Sequence, residues 1–200
     1  MTVRLHGQKI AVLMESDFYE PEILYYQRRF AEEGAEVHFL TRLWGNQQIT
    51  FTGHEHRMPF TVEESFEELD EYALKDYSTV IVPSGIVADR LRYTEDPAVL
   101  PPATALLRRA FADPAIVKGI ICHGMWLVAP IPQVIRGRRA VVHNNLLGDL
   151  KNMGGIYVNE DVVVDGDLVT ARTGNHCHLF ARTIIDELVQ RSGSPIRQPA

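Results

Sequence analysis

Four short apolar runs limit the folds open to this chain. Ile10-Ala11-Val12-Leu13-Met14, Val37-His38-Phe39-Leu40, Thr79-Val80-Ile81-Val82 and Ile116 to Ile121 are too brief for buried helices. They read as strands covered on both faces, the environment of a parallel sheet. Between the first two, Pro21 stands where a helix begins, Ile23, Tyr26, Phe30 and Ala31 keep helical spacing, and Gly34 closes the pattern. A strand, a helix and another strand form a βαβ unit, which joins parallel neighbours. The expected fold class is therefore α/β, with a mostly parallel sheet.

The remaining segments are less regular. Trp44 to Asp76 reads as excursion and connection, in which Gln48 to Phe51 and Arg57 to Phe60 have the character of short strands and Glu63 to Tyr77 carries acidic residues around Phe66, Leu69 and Tyr72. Helices are expected over Ala88 to Tyr93 and Ala98 to Phe111. Asp161 to Ala171 is a β-hairpin pattern turning at Asp165-Gly166-Asp167. A last helix runs from about Asn175 to Gln190, its apolar line drawn by Phe180, Ile184 and Leu188. Residues 1–200 are expected to form a single domain, with a core over about 9–190 and a flexible tail at 191–200.

Composition excludes some functions. With 20 basic and 26 acidic residues the net charge is −6, the wrong sign for a nucleic-acid or anionic-membrane binder. No apolar stretch is long enough to span a bilayer and no signal segment follows Met1, so a cytoplasmic protein is expected. Two cysteines, Cys122 and Cys177, make no disulfide framework and show no paired zinc-ligand spacing. His54-Glu55-His56 has ligand residue types but too few of them, and no phosphate-binding glycine motif opens a helix. Neither a metal nor a cofactor is expected. Arg136-Gly137-Arg138-Arg139 reads as a solvated basic turn.

Ile120-Ile121-Cys122-His123-Gly124 carries the chemistry. A strand ends, a cysteine follows, and a glycine opens the next helical stretch. Such a corner can expose a nucleophile at the carboxyl end of a sheet. Backbone N–H groups there can lower the thiol pKa and hold an oxyanion, and His123 is placed to move a proton. From these residues alone, a buried structural cysteine beside a surface histidine is an equal contender.

Several segments in order resolve that choice. Phe18-Tyr19-Glu20-Pro21-Glu22, Gly34-Ala35-Glu36-Val37, Val82-Pro83-Ser84-Gly85, Ile121-Cys122-His123-Gly124, Ile135-Arg136-Gly137-Arg138 and Val164 to Arg172 resemble the ThiJ/PfpI superfamily, most nearly its PfpI-like intracellular peptidase branch. The resemblance covers Lys9 to Val189. It implies a flavodoxin-like sandwich with helices on both faces, and an assembly at least dimeric. It also implies Cys122 as nucleophile, His123 as its partner, and a protonated Glu20 hydrogen-bonded to the sulfur. The amides of Gly85 and His123 would bind an oxyanion.

Departures from the pattern are specific. Members commonly have Pro-Gly-Gly where this chain has Pro83-Ser84-Gly85. A glutamate contributed to a neighbouring subunit is matched here by Asp89, one methylene shorter. Thr173-Gly174-Asn175-His176 replaces a proline and an aspartate, so His176 is expected to reach the pocket, and Met125-Trp126 is expected to narrow it. Two functions follow. One is a cofactor-independent cysteine enzyme acting on a small carbonyl, amide or peptide substrate, in the manner of peptidases, glyoxalases or deglycases. The other is a redox-sensing stress-response protein whose cysteine is oxidised to sulfinic acid without turnover.

Overall fold

A computed structural model describes residues 3–193. The first βαβ unit is β1 (Lys9–Leu13), α1 (Glu20–Glu32) and β2 (Glu36–Thr41). An excursion follows, with β3 (Ile49–Thr52), β4 (Pro59–Val62), β5 (Glu64–Ser65) and α2 (Glu71–Leu74). The chain returns through β6 (Tyr77–Val82), α3 (Val87–Leu91), α4 (Pro102–Ala112) and β7 (Val117–Ile121). The last part holds β8 (Arg139–Ala140), α5 (Leu147–Asn152), β9 (Ile156–Tyr157), β10 (Val162–Asp165), β11 (Leu168–Ala171) and α6 (Cys177–Arg191).

Seven strands form one sheet in the order β10-β11-β7-β6-β1-β2-β5, and only β10 runs antiparallel to its neighbour. Every residue of β7 and β11 is buried, and apart from Lys118 and Thr170 they are apolar or glycine, as in strands covered on both faces. β1 pairs with β2 on one side and with β6 on the other. The chain therefore runs outward through β2 and β5 and then returns to the other side of β1, and a crevice opens outside the carboxyl ends of β1 and β6 at such a switch point.

Helices flank the sheet in two groups. α1 packs on α6, and α3 and α4 pack with the 3₁₀ segment Cys122–Val128. Tyr26 is the centre of the first group, its ring 5.8 Å from Phe30 and 6.0 Å from Phe180. The fold is the flavodoxin-like α/β sandwich.

Boundaries differ from the sequence reading in instructive places. Ala98 to Leu100 do not join α4, because Pro101 and Pro102 start the helix late. β3 and β4 pair only with each other, as a hairpin separate from the main sheet. Arg138 is not a solvated basic residue. Its guanidinium donates to Asp167 at 2.6 Å and ties the β8 entry to the β10–β11 turn. α6 extends to Arg191 and a turn covers Ser192 and Gly193; the rest of the expected tail lies outside the described residues.

Candidate active site

Three strand ends and one hairpin meet at the crevice. β7 ends at Ile121, and Cys122 turns the chain with φ +59, a left-handed conformation that non-glycine residues adopt at a cost of about 1–3 kcal/mol. The turn brings Sγ to 3.2 Å from His123 Nδ1, and the N–H groups of His123, Gly174 and Gly85 draw the thiol pKa down. Gly85 follows β6 at φ +80 and Gly174 follows β11. A side chain at Gly85 would bring a strained backbone and a Cβ only 3.0 Å from the Asp17 carbonyl oxygen.

The sulfur sits at the floor of a cavity of about 560 Å³. Gly85, His123 and His143 line it near the thiol, and Asp17, His54 and Glu55 line it farther out. No lysine or arginine does so among the described residues.

The acid positions are resolved differently from the expectation. Glu20 does not hold the sulfur. Its carboxylate accepts from the backbone N–H groups of Glu55 (2.9 Å), His56 (2.8 Å) and Met58 (3.4 Å). Burial alone would raise its pKa, but these donors outweigh burial and hold the group at about 2, so it is ionised rather than protonated. Gly53 makes room for it, since a Cβ there would lie 2.2 Å from the carboxyl. Glu20 thus fastens the β3–β4 loop that carries His54 and Glu55 to the cavity.

The acid whose charge acts on the thiol is Glu22, to which the sequence reading gave no role. Glu22 has no exposed surface, accepts from Ser84 N at 3.1 Å and receives the Ser84 hydroxyl. Burial pushes its pKa up to about 7, against the pull of Ser84. The available signal was its place on the apolar stripe of α1, one residue before Ile23 and four before Tyr26.

The Cys122 thiol is shifted upward. Burial first, and then the nearby Glu22 carboxylate, push its thiol up to about 11, although three N–H groups pull the other way. His123 is shifted down by burial and by the charge of His143, so it is a neutral base.

Two further expectations are corrected. His176 does not enter the cavity: Nδ1 lies 2.8 Å from the Thr173 hydroxyl and Nε2 lies 3.4 Å from Asp161. The second histidine at the site is His143, whose ring centroid is 4.6 Å from that of His123. Trp126 does not narrow the cavity but packs edge-on against His123 at 4.9 Å. Asp89 is exposed on α3 and lies outside the cavity. Among the described residues no group of three or more His, Cys, Asp or Glu is arranged to hold a metal, and no helix is long and apolar enough to cross a membrane.

A flavodoxin-like sheet with a left-handed cysteine at the end of a central strand defines the class. The DJ-1/PfpI family model matches residues 8–187, and the chain belongs to that family. A deglycase of Pyrococcus horikoshii is 27% identical over 177 residues, 88% of this chain and 97% of the relative. Protein/nucleic acid deglycase 2 of Escherichia coli is 29% identical over 177 residues, 88% of this chain and 95% of the relative. Schizosaccharomyces pombe DJ-1 superposes with a TM-score of 0.76 at 18% identity, covering 94% of this chain and all of that one. A two-domain protein of Anabaena variabilis, with DJ-1/ThiJ/PfpI-like and ferritin-like domains, gives 0.79 at 22% identity over 94% of this chain and 50% of its own length. These two structures bear on the fold alone.

Proposed function

We propose that the protein is a cofactor-independent cysteine enzyme that cleaves small carbonyl adducts or amides, with Cys122 as nucleophile. The observation that carries this reading is Cys122 at φ +59, its sulfur on the cavity floor and 3.2 Å from a neutral imidazole. Family membership and the deglycase-named relatives support the reaction class.

The resting site holds a thiol, so the nucleophile is made on demand. His123 Nδ1 takes the proton from Sγ as the sulfur attacks the carbonyl carbon. The carbonyl π pair moves to oxygen, and the N–H groups of Gly85 and His123 stabilise the resulting charge. In an amide, collapse of the tetrahedral adduct expels the amine, which takes the proton from His123, and water then releases the acyl group from sulfur by the same base assistance. In a carbinolamine adduct, sulfur instead displaces the amine at the carbinol carbon and the amine leaves with that proton. Water later converts the hemithioacetal to free thiol and aldehyde hydrate. For Nδ1 to accept, His123 must carry its proton on Nε2.

Substrate charge follows from the walls. The cavity has carboxylates at Asp17 and Glu55 and no lysine or arginine among its described lining. Asp17 is already paired with Arg90 and with Arg57 at 3.5 Å, so Glu55 is the carboxylate left to bias the cavity toward neutral or cationic adducts, such as those on amine or guanidine groups. Asp89 can serve a cavity only by reaching that of a second copy, which makes a homo-oligomer part of the proposal, to be checked by sedimentation. The sensing alternative requires a resting thiolate and an acid that clasps the oxidised sulfur. A thiol pushed up to about 11 favours attack with base assistance over oxidation of a resting thiolate.

The test is hydrolysis of dicarbonyl adducts of N-acetyl-arginine and N-acetyl-lysine beside a peptide anilide. Cys122→Ser and His123→Phe should each abolish release of the free amine. Full activity in Cys122→Ser would sink the reading.

A further inference from the structure

A second cavity, of about 510 Å³, is bordered by α2, α4 and the entry to β7. Lys75 comes shortly before β6 and Ile116 just before β7, so this cavity sits at the amino ends of the strands, away from Cys122. Buried Leu74 and Ile116 supply apolar wall. Lys75, Arg108 and Arg109 bring three positive charges to the lining, against Glu71 and Asp113. In a chain of net charge −6, a local excess of cations runs against the general balance. Among the described residues none of the three is held in an ion pair, whereas the neighbouring Lys118 and Arg191 pair with Asp167 and Glu187.

Arg109 is the fixed member. Its Nη2 donates to the Leu69 carbonyl oxygen at 2.9 Å, and its Nε is buried without a hydrogen-bond partner. A buried guanidinium N–H without an acceptor carries a desolvation cost, and folded proteins ordinarily meet such a group with water or an ion. The Asp113 carboxylate is engaged with the backbone, where Oδ1 accepts from the Ala115 N–H at 2.9 Å. Lys118 Nζ donates to the Asp113 carbonyl oxygen at 3.1 Å and Arg191 Nη1 to that of Pro114 at 2.9 Å, so two more cations stand behind the same wall. Lys75 and Arg108 are exposed and free to fold over a ligand. We propose that this cavity binds a small dianion of the phosphate class, with Arg109 as anchor and Lys75 and Arg108 closing from the rim. Guanidinium groups match the oxygens of a phosphoryl group, and the ammonium adds charge without a fixed geometry. The site needs nothing from the reading of Cys122 as nucleophile.

Calorimetric titration of the full chain with inorganic phosphate, at constant ionic strength and with sodium chloride as the control, tests the proposal. Saturable binding of one ion with a Kd of about 1 mM or tighter is expected. Arg109→Gln should weaken it by about tenfold or more. Arg108→Gln and Lys75→Gln change exposed side chains and should each weaken it by about twofold to fivefold. Glu71→Gln should tighten it by about the same factor, a change of sign that loosened packing does not produce. Glycerol 3-phosphate binding more tightly than phosphate would make an esterified phosphoryl group the occupant, and equal binding would make it the free ion. No saturable heat up to about 10 mM phosphate would overturn the proposal. So would an affinity indifferent to Lys75, Arg108 and Glu71, the three variants that decide the matter if Arg109→Gln does not fold. Binding lost in Cys122→Ser would put the ion in the other cavity and overturn it too.

Discussion

The imidazoles of His123 and His143 lie with ring centroids 4.6 Å apart and planes tilted by 33°. Two rings this close cannot both take a proton readily, and His143 adds to burial in lowering the His123 pKa. A base that must be empty at Nδ1 benefits from such a neighbour. His143→Phe keeps an aromatic face and removes the titrating group, so His123 should hold its proton to higher pH. The acidic limb of kcat/KM is then expected to move upward, with little change on the plateau. An acidic limb that stays in place would show that His143 does not tune the base.

Glu20 is a clamp, and its ionisation links pH to stability. In the folded chain the carboxyl titrates at about 2, below its ordinary value of 4.5. A group with a depressed folded pKa contributes stability that is complete above the unfolded value and lost as pH falls through the folded one. The affected window is therefore pH 4.5 to about 2. Glu20→Gln cannot titrate, so its urea midpoint should fall less over that window than the native one. At neutral pH the same variant should be less stable by about 2 kcal/mol. It should also raise KM more than it lowers kcat, because the loop it loosens holds His54 and Glu55 at the cavity while Cys122 stays in place. Equal acid sensitivity of the two proteins would refute the clamp.

What could be read from the sequence was local. Pro21 marks the start of α1, Asp165-Gly166-Asp167 marks a hairpin, and buried strands announce themselves as short apolar runs because both faces are covered. The cysteine corner was legible for the same reason, since strand, nucleophile and turn are contiguous. Residues brought in by tertiary folding were not. Glu20 and Glu22 flank one proline, and only the packing of α1 against β6 sends the second into the site and the first to the β3–β4 loop. His143 lies in a stretch without periodicity, and no spacing rule connects it to His123. The N–H donors of the elbow were legible, whereas the burial that opposes them at the thiol belongs to the assembled fold.

Lys118 and Asp167 supply the last expectation. Lys118 stands in the middle sheet with no exposed side-chain surface, and its ammonium pairs with the Asp167 carboxylate. It also donates to the carbonyl oxygens of Asp113 at 3.1 Å and Ala110 at 3.3 Å. Burial lowers the lysine pKa, whereas Lys118 and Arg138 hold Asp167 below its usual range against its own desolvation. The two partners are not equivalent. Removing the lysine leaves Asp167 with Arg138 at 2.6 Å and partial access to water, whereas removing the aspartate leaves an ammonium buried among carbonyls. Asp167→Ala should therefore cost about 3–5 kcal/mol, and Lys118→Met about 1 kcal/mol or less, since the methionine fills the same space without a charge to desolvate. Urea unfolding of both variants checks the asymmetry. Equal losses would show that the pair acts as an ordinary packed contact instead of an enclosed charge that depends on its partner.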